Sequence, residues 1–425
     1  MTKEHKQVII SHEAISIAKS LRHNLVNDQG LIYVFDGKCY RYIEPQSFMD
    51  FLGKVACKMG VPFVEAEAFK FKECLLSQFK SSSFSTIPPM NVEGKETLIN
   101  LNNTIMSVSN SGVRFIEHSP DYFLKYHLQY DYDPQAECPI FMEYLNRVLP
   151  DKASQNILAE YLGYVFTDFK LEKVLLLIGT GANGKSVFFE VTKGLLGNEN
   201  MSYTNLTDLT TSEVHRSDLL DKLLNYSSEI SVKMNTTIFK QLSSGEPVKG
   251  KKLWAQPFEM TKYAKLAFNC NEFPRNVEQT NAFFRRLLPI EFNVTIPDAE
   301  QDINFPKKII KSELAGVFNW VLGGLHRLIV QEKFSESNEV SSVINRYKME
   351  SNSVSLYLND RNYVKGTTSE ISLMDMYKDY KSYCRENMYY ISTNIEFSKR
   401  IRNLGFDTKR KSTGNYVFFD CGSIA

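Results

Sequence analysis

The apolar positions of this chain fall into several distinct rhythms. Residues Val174–Ile178 read VLLLI, an unbroken apolar run of strand length, as in a strand covered on both faces. Upstream, residues 1–23 predict a polar helix with Ile10, Ile15 and Ala18 near helical spacing. Leu31–Tyr42 predicts a hairpin, with apolar and aromatic residues on either side of an Asp36-Gly37 turn. Pro45–Phe79 predicts mostly helix, Ser81–Glu96 a linker rich in Ser, Pro and Gly, and Thr97–Phe115 short strands broken by Asn-rich turns. Cys138–Phe166 predicts two helices, the second over Lys152–Val165. They lead into the Val174–Ile178 strand and a helix that starts near Lys185.

Downstream, Asn198–Ser217 is polar, and Leu219–Ile230 is an apolar segment that ends in an acid. A helix ending at Ser243–Gly245 gives way to a strand-like hairpin. Further short strands follow at Lys265–Asn271 and Leu287–Phe292. Ile309–Gln331 predicts one long amphipathic helix with Trp320 in the core, Phe334–Glu339 a polar connector, and Val340–Asp360 a helix. From Ile371 the pattern becomes helix, helix, hairpin. The helices are Ser372–Glu386 and Asn394–Leu404; the strands are Phe406–Lys411 and Tyr416–Asp420, around a Ser412–Asn415 turn. That is the outline of a winged helix.

A chain of 425 residues has room for two or three domains. The formal net charge is +1, so any contact with nucleic acid must come from local patches. Seven cysteines are scattered without a C-x-x-C pair, which argues against a zinc site or disulfide framework and suits a reducing cytoplasm. No apolar run reaches membrane-spanning length, and no signal-peptide core is present at the N-terminus.

The chemistry concentrates after the apolar strand. Gly179–Ser186, GTGANGKS, fits G-x-x-x-x-G-K-[ST], a phosphate-binding loop between strand and helix. Its glycines (Gly179, Gly181, Gly184) let backbone N–H groups approach an anion, and Thr180, Ala182 and Asn183 complete the loop. Lys185 is placed for the β- and γ-phosphates and Ser186 for Mg²⁺, so ATP and Mg²⁺ are the expected ligands. Glu229, about 43 residues beyond Ser186, is the candidate second acid, for Mg²⁺ or the attacking water. Asn271 is either a γ-phosphate-side polar group or a turn-former before Phe273. Arg285 and Arg286 are either a surface pair or the source of an arginine that reaches a neighbour's nucleotide. Lys249, Lys251, Lys252 and Trp254 combine cations with an aromatic ring, as a single-strand contact does; a solvated basic turn over a core Trp is the alternative. Lys399, Arg400 and Arg402 lie on the second helix of the C-terminal pattern, and Lys409, Arg410 and Lys411 on its hairpin. They are either DNA-backbone contacts or a solvated rim. Asp131 and Asp133 are a metal-type acid pair by spacing, but no third ligand accompanies them and a solvated loop is the favoured reading.

Taken in order, GTGANGKS, the acid-ended strand with Glu229, SSGEPVKGKKLW, KLAFNCNEFPR and FFRRLLPIEF resemble the superfamily 3 helicases, of the poxvirus-type and phage/plasmid primase-helicase kind. FDGKCYRYI, LINLNNTIMSV and HSPDYFLKYHLQYDYDPQAECPIFMEYL extend the resemblance upstream. It implies an α/β fold: an α+β N-terminal domain over 1–140, an AAA+-like P-loop ATPase over 141–335, and a winged helix over 336–425. It further implies Lys185, Glu229, Asn271 and Arg286 as catalytic residues, with Arg285 as the alternative arginine and Lys240 touching the site across a subunit boundary. Ser228 stands where many relatives carry another acid. The implied activity is ATP-driven 3′ to 5′ travel on single-stranded and forked DNA by a homohexamer, in the replication of a phage, plasmid or integrated element. Many relatives carry a primase-polymerase domain ahead of this module. No catalytic metal triad is legible in the first 150 or so residues, so no primer synthesis by this chain is expected, and a separate primase is a candidate partner. The rival readings are a DNA-binding regulatory NTPase that does not unwind, and a ring ATPase that remodels proteins.

Overall fold

A computed structural model describes residues 3–28, 30–82, 96–227, 234–252, 256–271, 273, 280–387, 389 and 391–421. Helix α1 (Lys3–Ser20) precedes an antiparallel sheet of β1 (Leu25–Asp28), β2 (Leu31–Phe35) and β3 (Tyr40–Ile43). The β2–β3 turn forms because Asp36 Oδ1 accepts from the backbone N–H of Lys38 and of Cys39, both at 2.9 Å. Helices α2 (Pro45–Lys58), α3 (Phe63–Ala66) and α4 (Phe69–Ser82) pack with α1 on Ile32. Most of the Ser/Pro/Gly-rich stretch lies outside the described residues. A second antiparallel sheet follows, β4 (Thr97–Asn100), β5 (Ile105–Ser109) and β6 (Gly112–Ile116).

Helices α5 (Pro139–Val148) and α6 (Lys152–Tyr164) lead to β7 (Val174–Ile178), whose five residues are all buried. Then come α7 (Lys185–Leu196), β8 (Met201–Ser202), α8 (Leu206–Thr211), α9 (Glu213–Arg216) and β9 (Leu224–Ser227). Helix α10 (Thr236–Ser244) precedes the hairpin of β10 (Val248–Gly250) and β11 (Phe258–Met260). Next are β12 (Lys265–Cys270), α11 (Asn281–Phe284) and β13 (Leu287–Glu291). Strands β7, β8, β9, β12 and β13 form one parallel sheet in the order β13-β7-β12-β9-β8. Alternate residues serve its two faces: Leu175 and Leu177 enter one core, Val174, Leu176 and Ile178 the other.

The single long helix expected over 309–331 is instead two, α12 (Phe305–Ser312) and α13 (Leu314–Gln331). The break is at Glu313, which is 5% exposed and serves another helix. Its carboxylate accepts from Ile140 N at 2.9 Å and Phe141 N at 2.8 Å, capping α5, where Cys138 offers no side-chain cap. Trp320 is only partly buried, edge-on to Phe141 at 5.2 Å, at the margin of the core rather than inside it. The expected strand from Leu219 is shorter as well. A 3₁₀ turn covers Ser217–Leu219, Asp221 takes a positive φ of 58°, and pairing begins only at Leu224.

The C-terminal part comprises α14 (Asn338–Glu350), α15 (Ser353–Asp360), β14 (Tyr363–Ser372), α16 (Leu373–Glu386), α17 (Asn394–Asn403), β15 (Thr408–Lys411) and β16 (Gly414–Cys421). Its sheet is antiparallel, β14-β16-β15, so the expected two-stranded hairpin gains a third strand. The hydrophobic cores do not break at residues 140 and 335. Ile99, Met106 and Leu128 share a core with Phe141, Leu177 and Phe318, and Val343 and Tyr347 of α14 share one with β12. The C-terminal core proper starts at Val354. Among the described residues no helix is long and apolar enough to cross a membrane.

Helices α6 and α13 cross in close contact because glycine stands where they meet. A Cβ on Gly324 would lie 2.3 Å from the Ala159 carbonyl carbon. Backbone cannot yield there as a side chain can, so Gly324→Ala is expected to destabilise the protein by about 1–3 kcal/mol. Urea unfolding followed by circular dichroism checks this; an unchanged midpoint contradicts it.

Candidate functional site

The segment Gly179–Ser186 leaves the C-terminal end of β7, in the interior of the parallel sheet. The strand order turns at that point. The chain runs from β7 to the far edge at β8, returns through β9 and β12, and then adds β13 on β7's other side. Crevices outside such a reversal are where parallel sheets receive ligands. The neighbouring strands hold the loop in place. Gly179 N donates to Cys270 O at 3.2 Å, Phe292 N to Ile178 O at 2.8 Å, and Ile296 N to Ala182 O at 2.7 Å.

Within the loop, Lys185 is 7% exposed and its ammonium turns back to donate to Gly179 O, and to Asn183 Oδ1 at 3.2 Å. Burial pushes its pKa down, with the nearby Cys270 thiol opposing the shift. Burial in turn pushes that thiol up to about 12, with Lys185 acting the other way. Asn183 Nδ2 donates to Phe292 O at 3.0 Å. A Cβ on Gly179 would sit 1.9 Å from that amide nitrogen and 2.7 Å from Phe292 O, so only glycine fits there. Below the loop, Tyr144 of α5 donates to Gly184 O at 2.8 Å. The first turn of α7 carries Lys185 and Ser186, where a helix leaves its N–H groups without intrahelical partners. Thr180, Gly181, Ala182 and Ser186 are exposed.

Asn271 directly follows β12, beside the loop, and is exposed. Glu229 and Trp254 lie outside the described residues: the first falls between Ser227, at the end of β9, and residue 234, the second between Lys252 and residue 256. Ser186 and Thr180 are the exposed hydroxyls of the loop, Ser186 being the one on the first turn of α7, and among the described residues no group of three acids, histidines or cysteines could hold a metal. That donor set fits an ion of the magnesium type, which is held largely by substrate phosphates and water rather than by a protein cage.

The arginine pair differs from expectation. Arg286 does not project outward. It is 7% exposed, donates to Ala282 O at 2.5 Å and Ser244 Oγ at 2.9 Å, and lies 3.3 Å from Glu172. Its Nε has no hydrogen-bond partner. The physical reason is the turn after α11: Arg286 N bonds Phe283 O as β13 begins, and the side chain is carried inward against the end of α10. Arg285 is the outward one, with 60% side-chain exposure and a 2.5 Å contact to Glu172. Both precede β13, which runs parallel beside β7, so they lie at the N-terminal end of the strands, opposite the loop and roughly 16 Å away by strand rise.

The basic hairpin is braced from inside. The buried Arg216 of α9 donates to Leu209 O at 3.0 Å and to Lys249 O at 2.7 Å, and Lys251 N donates to Glu213 O at 2.9 Å. Lys249 is exposed, Lys251 and Lys252 are half-buried, and the Lys252 ammonium lies 5.5 Å from the Tyr42 ring centre. Lys240 on α10 is half-buried. Sequence reasoning missed Tyr144 below the loop, Arg216 under the basic hairpin and Glu172 beside the arginine pair; none of them lies in a motif, and only the fold places them there.

In the C-terminal unit, a capping box of Thr393 and Glu396 starts α17, and Phe397 and Ile401 anchor it. Lys399 and Arg402 are exposed. Arg400 is half-buried, 3.5 Å from Asn352 Oδ1. Lys409 and Arg410 are exposed on β15, whereas Lys411 is paired with Glu370 of β14. Asp131 and Asp133 serve loop hydrogen bonds, from Asn102 Nδ2 at 2.7 Å and Gln135 N at 2.9 Å.

Comparisons with known proteins agree with this layout. Residues 17–150 match the family described as D5 N terminal like, and residues 177–286 match a family of unknown function (DUF5906). A protein of Acanthamoeba polyphaga mimivirus described as "Putative helicase L207/L206" is 27% identical over 158 residues, 35% of this chain and 16% of that protein. The apo A-form structure of the NrS-1 C-terminal region matches with a TM-score of 0.51 at 13% identity, over 96% of this chain and 99% of that one. A second A-form structure, of NrS-1 residues 305–718, gives 0.51 at 15% identity, with the same coverage. These two share the fold.

Because the Gly179 position admits no side chain, Gly179→Ala is expected to weaken binding of a fluorescent ATP analogue by about tenfold or more while the fold is kept. Anisotropy titration checks the affinity and circular dichroism the fold; a variant that binds like the parent contradicts the assignment.

Proposed function

We propose that this chain is an ATP-hydrolysing helicase of the superfamily 3, primase-helicase kind, acting in the replication of a phage, plasmid or integrated element. The observation that carries the reading is the glycine-rich loop. It is anchored at a strand-order reversal, with a buried lysine turned into it and the first turn of a helix behind it. The match to the D5 N terminal like family and the helicase description of the viral relative support the DNA-motor part. The helix–strand–helix–helix–hairpin order after residue 353 supports a winged helix as the C-terminal unit.

In this reading the loop amides and Lys185 bind the triphosphate, and Asn271 orients the groups around its terminal phosphate. Ser186 and Glu229 hold Mg²⁺, which when bound neutralises phosphate charge. Glu229 then orients the attacking water. Arg285, rather than Arg286, is the arginine offered to a neighbouring subunit, since it is the exposed one of the pair. Lys249, Lys251, Lys252 and Trp254 grip one DNA strand. Lys399, Arg402, Lys409 and Arg410 contact the duplex backbone. The assembly is a homohexamer that travels 3′ to 5′, with a primase as a separate partner. Burial of Arg286 favours the second reading, an NTPase that binds DNA without unwinding, because that reading needs no arginine shared between protomers.

A strand-displacement assay on forked DNA separates the two. ATP-dependent displacement, lost in Lys185→Ala, is the expected result; single-strand-stimulated hydrolysis without displacement supports the second reading. Arg285→Ala is expected to lose hydrolysis yet keep ATP binding. Mixing it with Lys185→Ala subunits in rings shown to be mixed should restore part of the activity. If native mass spectrometry shows mixed rings and no activity returns, the shared site is wrong.

A further inference from the structure

Strand β16 is the middle strand of the C-terminal sheet, and its side chains alternate between two faces. Val417 and Phe419 enter the core that holds Tyr357, Tyr380 and Phe397. Tyr416 and Phe418 therefore share the opposite face, where both are half-buried. Neither ring belongs to a hydrophobic core of the described residues or packs against one. Core packing does not account for them.

Lysines border the two rings. The register sets Lys409 of β15 opposite Tyr416 and Lys411 opposite Gly414, so both lysines stand on this face. The Lys409 ammonium lies 5.4 Å from the Phe418 ring centre. That of Lys411 lies 5.0 Å from the Tyr416 centre and 5.7 Å from that of Phe418. Lys411 reaches across β16 to Glu370 of β14, the residue opposite Phe418, at 2.6 Å. Lys409 has no carboxylate partner among the described residues, so its charge is the uncompensated one. The hydroxyls of Thr413 and Tyr416 bond at 2.9 Å, which steadies the outer edge of that ring. The rings are two residues apart, roughly 6.8 Å by strand rise, so one extended polynucleotide can lay a base on each.

We infer that the Tyr416–Phe418 face is a separate binding site for single-stranded DNA, with bases on the two rings and phosphates on Lys409 and Lys411. Flat rings beside ammonium groups match an unpaired strand, which offers π-faces and anions together. A duplex keeps its base faces in its own stack and would meet only the lysines. A stacked base is held more firmly than an ammonium at an exposed ring, so the base takes the ring and the lysine turns to phosphate. The site stands on its own residues, whatever the Gly179–Ser186 loop or the basic hairpin binds. Arg410, the next residue along β15, lies on the other face, so duplex and single strand need not compete for one surface.

The test is anisotropy titration of the full chain with a fluorescent oligothymidine strand and with a blunt duplex of the same length. Tyr416→Ala combined with Phe418→Ala is expected to weaken the single strand by about tenfold or more and the duplex by about twofold at most. No loss, or loss of equal size for both, overturns the inference. Photocrosslinking of the parent protein to an iodouracil-substituted strand, followed by peptide mapping, needs no variant. Adducts on Tyr416 or Phe418 are expected. Adducts confined to other segments overturn the inference even if the double variant does not fold. If the double variant sediments as a smaller species and binds the single strand like the parent, the face pairs with a second copy of this chain, and the DNA site is wrong.

Discussion

The pairing of β7 with strands on both sides is the constraint on which the rest depends. A strand flanked by β12 and β13 and covered on both faces has no free edge and no free face. Its exit is therefore set by its neighbours' exits, and those neighbours carry Glu291 and lead to Asn271. The loop needs no separate scaffold. Carbonyls and amides that would otherwise end the ladder, at Cys270, Ile178, Phe292 and Ile296, become its supports. A buried lysine is tolerable there because oxygens of Gly179 and Asn183 accept hydrogen bonds from its ammonium.

Two buried arginines make the basic hairpin part of the same body. Arg216 grips Lys249 O from α9, and Arg286 ties the start of β13 to the end of α10, where the chain turns towards the hairpin. Neither is a surface charge spent on solubility. Arg216 donates to two backbone carbonyls, and Arg286 has Ala282 O, Ser244 Oγ and the Glu172 carboxylate around its guanidinium. The mechanical path from strand to hairpin therefore runs through polar contacts of fixed direction as well as through apolar packing.

The strands β7, β12 and β13 and the helix α7 are legible in the sequence because each has a strong local signature: an unbroken apolar run, glycines at fixed spacing, short strands between turns. The C-terminal helices were legible for the same reason, since α17 keeps its apolar spacing and has a capping pair. What was not legible depends on distant partners. Strand β14 is mostly polar and forms because β16 pairs with it through a bulge between Val364 and Ser369. The break at Glu313 answers the need of α5, some 170 residues away in sequence, for a cap. The inward turn of Arg286 is dictated by Ser244 and Glu172, which no local pattern connects to it. The boundaries near 140 and 335 follow from the family resemblance, whereas apolar packing crosses both.

That crossing has a consequence for how such a chain can be divided. The second antiparallel sheet contributes Ile99, Met106 and Val108 to the core that also holds Phe141, Leu158 and Phe318. Tyr130 reaches the same centre, edge-on to Phe318 at 5.9 Å. A fragment starting at residue 141 would wet that greasy seam and tend to clump, whatever its catalytic competence. Lineages that shuffle modules by recombination would find a cheaper seam close to residue 352, where one core ends and the next has not begun.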